Sequence, residues 1–402
     1  MKRHAASLSA PLTRALAGAL ALNLAACDGT TSVVGARPDA TTDDIASDST
    51  VPDVADVLDA SDAGDASDAA DGGDAGDASD VSDAADASDG SDASDAGDAG
   101  DVSDAPALVS TTRAVVECGT VCARPMDAIP NGAGTEVFFT AFTAMGEAGV
   151  FRATVPAPGA APATPTLVAS GGGMEFPIGI AISRDDATLY VADPSTDGAD
   201  ADTGAVFSIP AGGGTPTRIN TGVELLRPQG IAVSADGESL LVTGQRLTST
   251  DLLRALFRVP RAGGAGVVLT TDLVDPSGVS QDSMGYITLF DARRGGPNAG
   301  TAFIFSSPRV TELAVGVEAN HPAGASLAIN GRSALISGTV ADTGGGLLTW
   351  VGADGRATSP ASLSTGMSTP LGLHRARTLN TWAVADEAAG ESGQVFLVTV
   401  AP

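Results

Sequence analysis

"PIGIAISRDDATLYVAD", residues 177 to 193, holds two short apolar runs around a polar turn. A first run after P-x-G and a second closing at Asp193 are each too short for a helix and are separated by a polar turn, which is the pattern of a β-hairpin. The same shape recurs. "PQGIAVSADGESLLVTG" begins at Pro228, "PSGVSQDSMGYITLFD" at Pro276, "PAGASLAINGRSALISG" at Pro322 and "PLGLHRARTLNTWAVAD" at Pro370. A degenerate copy, "PMDAIPNGAGTEVFFTA", begins at Pro125. Successive prolines are 52, 51, 48, 46 and 48 residues apart. The second run closes 16 residues after the proline in five copies, at Ala141, Asp193, Gly244, Gly338 and Asp386, and 15 after it in the sixth, at Asp291. Unrelated strands would not keep that register.

Each unit continues through a variable loop to a third apolar run. These are "GVFRATVP", "AVFSIP", "ALFRVP", "TAFIFS", "LLTWVG" and "QVFLVTV". A Gly- or Pro-rich turn, such as "AGGGTP" (211–216), then leads to a fourth run. Four-stranded units repeated six times predict an all-β fold, a six-bladed β-propeller over residues 106–402. The last copy ends after its third strand. "PALVS" (106–110) resembles the fourth strand "PTLVAS" (165–170). A strand around Leu108–Ser110 is therefore expected to complete the blade holding Val395–Val400, leaving no open seam.

The P-x-G-[IV]-A-[IV] start and the "LYVAD" that follows resemble NHL-type repeats and related six-bladed propellers, over roughly residues 106–402. A second resemblance, to calcium-dependent lactonase propellers of the SMP-30 type, would imply carboxylate and amide ligands near the blade starts. The middle position of the start is Ile178, Gln229, Ser277, Ala323 and Leu371, none of which supplies a carboxylate. In the first copy Asp127 replaces the glycine, with Asn131 nearby, and both are candidates to face the channel. Two such groups do not build a hard-cation cage, so no metal and no cofactor is expected.

Other candidate sites each carry two readings. Cys118 and Cys122, in "ECGTVCA", suit a disulfide in an oxidising compartment; a zinc site using His321 or His374 and a free redox pair are the alternatives. His374 stands on an expected inner strand, either as a general base or as a buried histidine with one hydrogen bond. Asp197, Asp200 and Asp202 in the loop 193–204 are either calcium ligands or solvated charges. Arg293 and Arg294 occupy the equivalent loop of another blade, so that face carries charges of both signs.

The N-terminal part is of another kind. Residues 15–26, "ALAGALALNLAA", follow a basic stretch and are too short to span a bilayer, as in a secretory signal. They end in "LAAC", which resembles the lipobox of bacterial lipoproteins and implies acylation of Cys27 after removal of residues 1–26. Residues 27–105 carry an aspartate at every third position from Asp53 to Asp104, among Ala, Ser and Gly. Such a stretch buries no apolar surface and repels itself, so it is expected to be a disordered, extended tether.

Net charge is −28 and the only lysine is Lys2, so lysine chemistry is excluded from the exported chain and a nucleic-acid surface is not expected. The expectation is a monomeric lipoprotein of the cell envelope, held on the membrane through Cys27 and without enzymatic activity. It would bind an unidentified protein, peptide or glycan on the face of the variable loops. The rival expectations are a calcium-dependent lactonase and a structural envelope protein.

Overall fold

The computed structural model describes residues 108–401, apart from 196–203, 221–224, 248–250, 265, 297–298, 307–308, 319–323 and 341–342. These residues form six four-stranded antiparallel sheets, the blades of a closed propeller. Five blades run consecutively. Their inner strands are Cys122–Pro130, Gly179–Ile182, Ile231–Val233, Pro276–Gln281 and Ala325–Leu327. Blade 6 has Pro370–Arg375 innermost, then Thr381–Asp386 and Gln394–Val400, and takes its outer strand, Ser110–Glu117, from the front of the chain.

That strand pairs with the last one from Ser110 opposite Val400 to Glu117 opposite Gln394. The closure is the expected one, but the strand lies later than Leu108–Ser110. A bulge between Ala114 and Val116 puts both Val115 and Val116 in the core, which breaks the alternation that would have marked this strand in the sequence. Leu108 still packs against the joint of blades 5 and 6, and the Ala401 N–H donates to Val109 O at 2.9 Å.

Each strand has two apolar faces, and each faces a different neighbour. On the second strand of blade 1, Phe138 belongs to the joint with blade 2 and Phe139 to the joint with blade 6. Tyr190 and Val191 divide in the same way between blades 3 and 1. The result is six apolar clusters, one per joint, in cyclic order. Five join consecutive blades, and the sixth sets Val395 and Leu397 of blade 6 against Val137 and Phe151 of blade 1. A buried phenylalanine contributes about 1.5–3 kcal/mol, and every joint holds at least one.

The blades fasten their starts in two alternating ways. In blades 2, 4 and 6 the second strand carries a fully buried aspartate, at its end in blades 2 and 6 and within Ile287–Gly296 in blade 4, that accepts N–H bonds from the segment before its own inner strand. Asp193 accepts from Glu175 and Phe176, Asp291 from Val274 and Asp275, and Asp386 from Ser368 and Thr369, all at 2.6–3.1 Å. Burial pushes the Asp193 carboxyl up to about 6, against the opposing effect of those N–H donors. In blades 3 and 5 a hydroxyl does a related task. Thr243 Oγ1 accepts the Gly230 N–H at 2.8 Å and donates to Ser277 O of the next blade at 2.5 Å. Ser337 Oγ makes the same bridge between Gly324 and Leu371. In blade 1 the matching hydroxyl, Thr140, is buried without a partner among the described residues.

Candidate binding site in the central channel

The inner strands converge on the axis at their P-x-G starts. A Cβ on Gly179 would lie 2.2 Å from Gln229 O, one on Gly230 2.3 Å from Ser277 O, and one on Gly324 2.6 Å from Leu373 N. Each contact is with the backbone at the start of the next blade. None of these three glycines has a positive φ, so the demand is for close approach and not for an unusual turn. At this level, the channel neck, the blade starts leave only a small hollow of about 30 Å³.

Asp127 holds the same position in blade 1. Its Oδ1 accepts the Ala128 N–H at 2.8 Å, and its Oδ2 accepts the Ile180 N–H of blade 2 at 2.9 Å. His374 Nε2 of blade 6 lies 3.0 Å from the same Oδ2, with both side chains buried. An acceptor already holding two N–H bonds calls for a proton on Nε2. A Cβ on Gly372 would run into Asp127, so glycine there makes room for the carboxylate. One side chain thus links three blades at the axis, and Asp127 and His374, each a separate candidate in the sequence, form one pair. Asn131 does not join them. Its Oδ1 accepts the Thr135 and Glu136 N–H groups at 2.9 and 3.2 Å and caps a turn.

Beyond His374 the channel widens to a cavity of about 300 Å³, to which all six blades contribute. It lies at the far ends of the inner strands and the turns after them. The variable loops join second to third strands, so they lie on the opposite face. The described cavity is therefore not on the loop face where recognition was expected.

Three arginines line this cavity: Arg184, Arg375 and Arg377. Arg377 spans from blade 6 to blade 2, with Nη2 2.7 Å from Asp186 Oδ1 and Nη1 donating to Ser183 O at 3.0 Å. Arg375 is half-buried. Its Nε donates to Leu327 O at 2.7 Å, and its Nη1 donates to the carbonyls of Ala376, Arg377 and Leu379 at 2.7–3.2 Å. Burial pulls the Arg375 guanidinium below its ordinary range, with the Asp282 charge opposing. Asp282, the one carboxylate of the lining, has Oδ1 engaged by the Met284 and Tyr286 N–H groups at 2.9 Å. Ile129, Ile182 and Leu327 supply apolar wall.

The cavity arginines were missed because "SRDDAT" and "HRARTLN" read in sequence as ordinary first-to-second turns. The usable signal was three arginines, at 184, 375 and 377, at or just beyond inner-strand ends in a chain otherwise rich in acid.

The remaining candidates are placed as follows. Cys118 and Cys122 are disulfide-bonded, with Cα atoms 4.7 Å apart, and sit in the core between the closing strand and blade 1. Arg293 and Arg294 are engaged locally, 3.2 Å from Asp275 and 2.8 Å from Asp272, and Arg294 lies over the Phe303 ring. Asp197, Asp200, Asp202, His321, Cys27 and the aspartate ladder lie outside the described residues. Among the described residues no three His, Cys, Asp or Glu side chains are grouped to hold a metal.

The class of protein is thus an all-β, six-bladed propeller with an arginine-lined channel mouth. No family model matches the chain, and no curated protein matches it. Among solved structures it is similar to TolB from Acinetobacter baumannii, at 15% identity and TM-score 0.46, with 70% of this chain covered. The chain spans 58% of that protein's length. It is similar also to a TolB-type protein from Agrobacterium tumefaciens, at 14% identity and TM-score 0.47, over 73% of this chain and 99% of that one. A third is the hydrazine synthase of Kuenenia stuttgartiensis, at 13% identity and TM-score 0.44, over 66% and 77%.

Proposed function

We propose that this protein is an exported, lipid-anchored, non-catalytic propeller that binds a protein or peptide partner at its channel mouth. The observation that carries this reading is the cavity of about 300 Å³ to which all six blades contribute. Concave sites of this size on a rigid scaffold are where ligands are held. The sequence supports the rest: "LAAC" ending at Cys27 for the anchor, and the aspartate ladder for a tether that lifts the propeller off the lipid.

The lactonase reading draws less support. Its ligands would stand at the blade starts, where Gly179, Gly230 and Gly324 press on neighbouring backbone and Asp127 is committed to Ile180 and His374.

Two measurements test the proposal. A Cys27→Ser chain should leave the detergent phase for the aqueous phase on Triton X-114 partition; a wild-type chain already in the aqueous phase would remove the anchor. Crosslinking in native membranes should yield one stoichiometric partner contacting the turns that carry Arg184 and Arg377. A partner mapped to the opposite face would refute the assigned mouth.

A further inference from the structure

We infer that the channel mouth is a carboxylate-binding site, with the guanidinium of Arg375 at its base and that of Arg184 at its rim. This deepens the binding-module reading and rests on it.

The argument starts from charge that the protein does not match. Arg375 is half-buried on an inner strand, and its contacts, through Nε and Nη1, are all to neutral carbonyls. Among the described residues no carboxylate lies within ion-pair distance of it, and its Nη2 has no hydrogen-bond partner. A guanidinium withdrawn from water with one amino group free calls for an acceptor. Arg184 lines the same cavity and has no ion pair or hydrogen bond among the described residues. Asp185 beside it is turned to Ser183 Oγ and the Ala187 N–H.

The charge count selects the ligand. Arg377 is already neutralised by Asp186 at 2.7 Å. Among the described lining residues Arg184 and Arg375 then stand against Asp282, an excess of one positive charge, while Asp185 is turned to Ser183 and Ala187 and Asp127 is engaged by the Ala128 and Ile180 N–H groups and His374. A singly charged group completes that balance, whereas a dianionic phosphate would overshoot it and meet Asp282. Guanidinium and carboxylate are also matched in shape, since two N–H donors face two oxygens. The apolar wall of Ile129, Ile182 and Leu327 suits a hydrocarbon or peptide portion behind the charged group. The carboxylate has two possible sources, a free organic acid or the C-terminus of a peptide.

Calorimetric titration of the full chain in detergent separates them. The probes are hexanoate, N-acetyl-trialanine as the free acid, the same peptide as its amide, and inorganic phosphate. Expected is saturable binding of at least one carboxylate probe at one site per chain, with no binding of the amide. Tighter binding of hexanoate assigns a free acid, and tighter binding of the peptide acid assigns a chain terminus. Arg184→Gln should weaken the bound probe at least about tenfold, as should Arg375→Gln, about 1.4 kcal/mol or more. Arg375→Gln also removes bonds to four carbonyls and can lower stability. Arg184→Gln removes none, so its melting temperature should be unchanged and its affinity decides. No saturable binding by either carboxylate, binding of the amide as tight as the acid, preference for phosphate, or an Arg184→Gln chain that binds like the wild type would overturn the assignment. Failure of the probes while a membrane partner still crosslinks at this face would sink the carboxylate site alone. Binding of the probes without such a partner would sink the broader reading and leave the site.

Discussion

Replacing Gly230 by alanine tests the channel neck most directly. The added Cβ would lie 2.3 Å from Ser277 O, 2.7 Å from Val279 N and 3.0 Å from Gly278 C. All three are backbone atoms of the inner strand of blade 4, so no rotamer can relieve the contact. Reaching an ordinary separation requires the two strands to part by roughly 1 Å. The closed ring opposes this, because five other joints hold blades 3 and 4 in place. The parting also loosens the Thr243 bridge, which joins Gly230 N–H to Ser277 O. Overpacking of this kind costs about 3 kcal/mol and a lost hydrogen bond about 1, for a total near 4 kcal/mol. At roughly 2–4 °C per kcal/mol, the melting temperature should fall by about 8–16 °C. Gly212 is the control: an added Cβ meets nothing within 4 Å and its φ is not positive. Gly212→Ala should therefore hold or rise by up to about 1 kcal/mol. The assay is calorimetric melting of both variants at one scan rate. A Gly230→Ala chain melting within about 2 °C of the wild type would refute the packed neck.

Three further outcomes are expected. Asp386→Ala leaves the N–H groups of Ser368, Thr369, Ala388 and Ala389 without their acceptor. Urea titration should show a loss of about 3–5 kcal/mol, and a loss under 1 would mean that water replaces the carboxylate. Asp193, with its carboxyl pushed up to about 6 from 3.8, keeps a proton in the folded state over an interval where the unfolded chain has lost it. Its contribution to stability is thus greatest below pH 4 and falls by about 3 kcal/mol as pH rises to 6. The stability difference between wild type and Asp193→Asn, measured at pH 4 and 6.5, should change by about 2 kcal/mol; an unchanged difference contradicts the assignment. Replacing Cys118 and Cys122 by serine opens a short loop, so stability should drop by about 2 kcal/mol and melting by about 4–8 °C. An unaltered melt would show that the bond constrains nothing the core does not already hold.

Much of the architecture was legible because it is written locally. The recurring P-x-G start, the fixed distance to the strand end and the hairpin turns all lie within about fifty residues of chain. The end of the second strand carried more than was read from it. The series Ala141, Asp193, Gly244, Asp291, Gly338, Asp386 alternates, and in the structure this alternation separates aspartate-fastened from hydroxyl-bridged blades. The closing strand was placed too early because the bulge at Ala114 hides its alternation. The cavity at the channel mouth was not foreseen, for a related reason. Loop length is visible in a sequence, whereas the width of a channel is the sum of six separate strand ends.

From the chain alone came the number of modules and the expectation of a borrowed strand that shuts the ring, since both rest on a pattern repeated along the sequence. Only the tertiary structure brought Asp127 to His374, Arg377 to Asp186, and Arg184 and Arg375 into one cavity. Asp127 and His374 are 247 positions apart, and their meeting depends on the angle at which every blade turns about the axis. That angle is set by side-chain packing at six joints together, and no single segment encodes it.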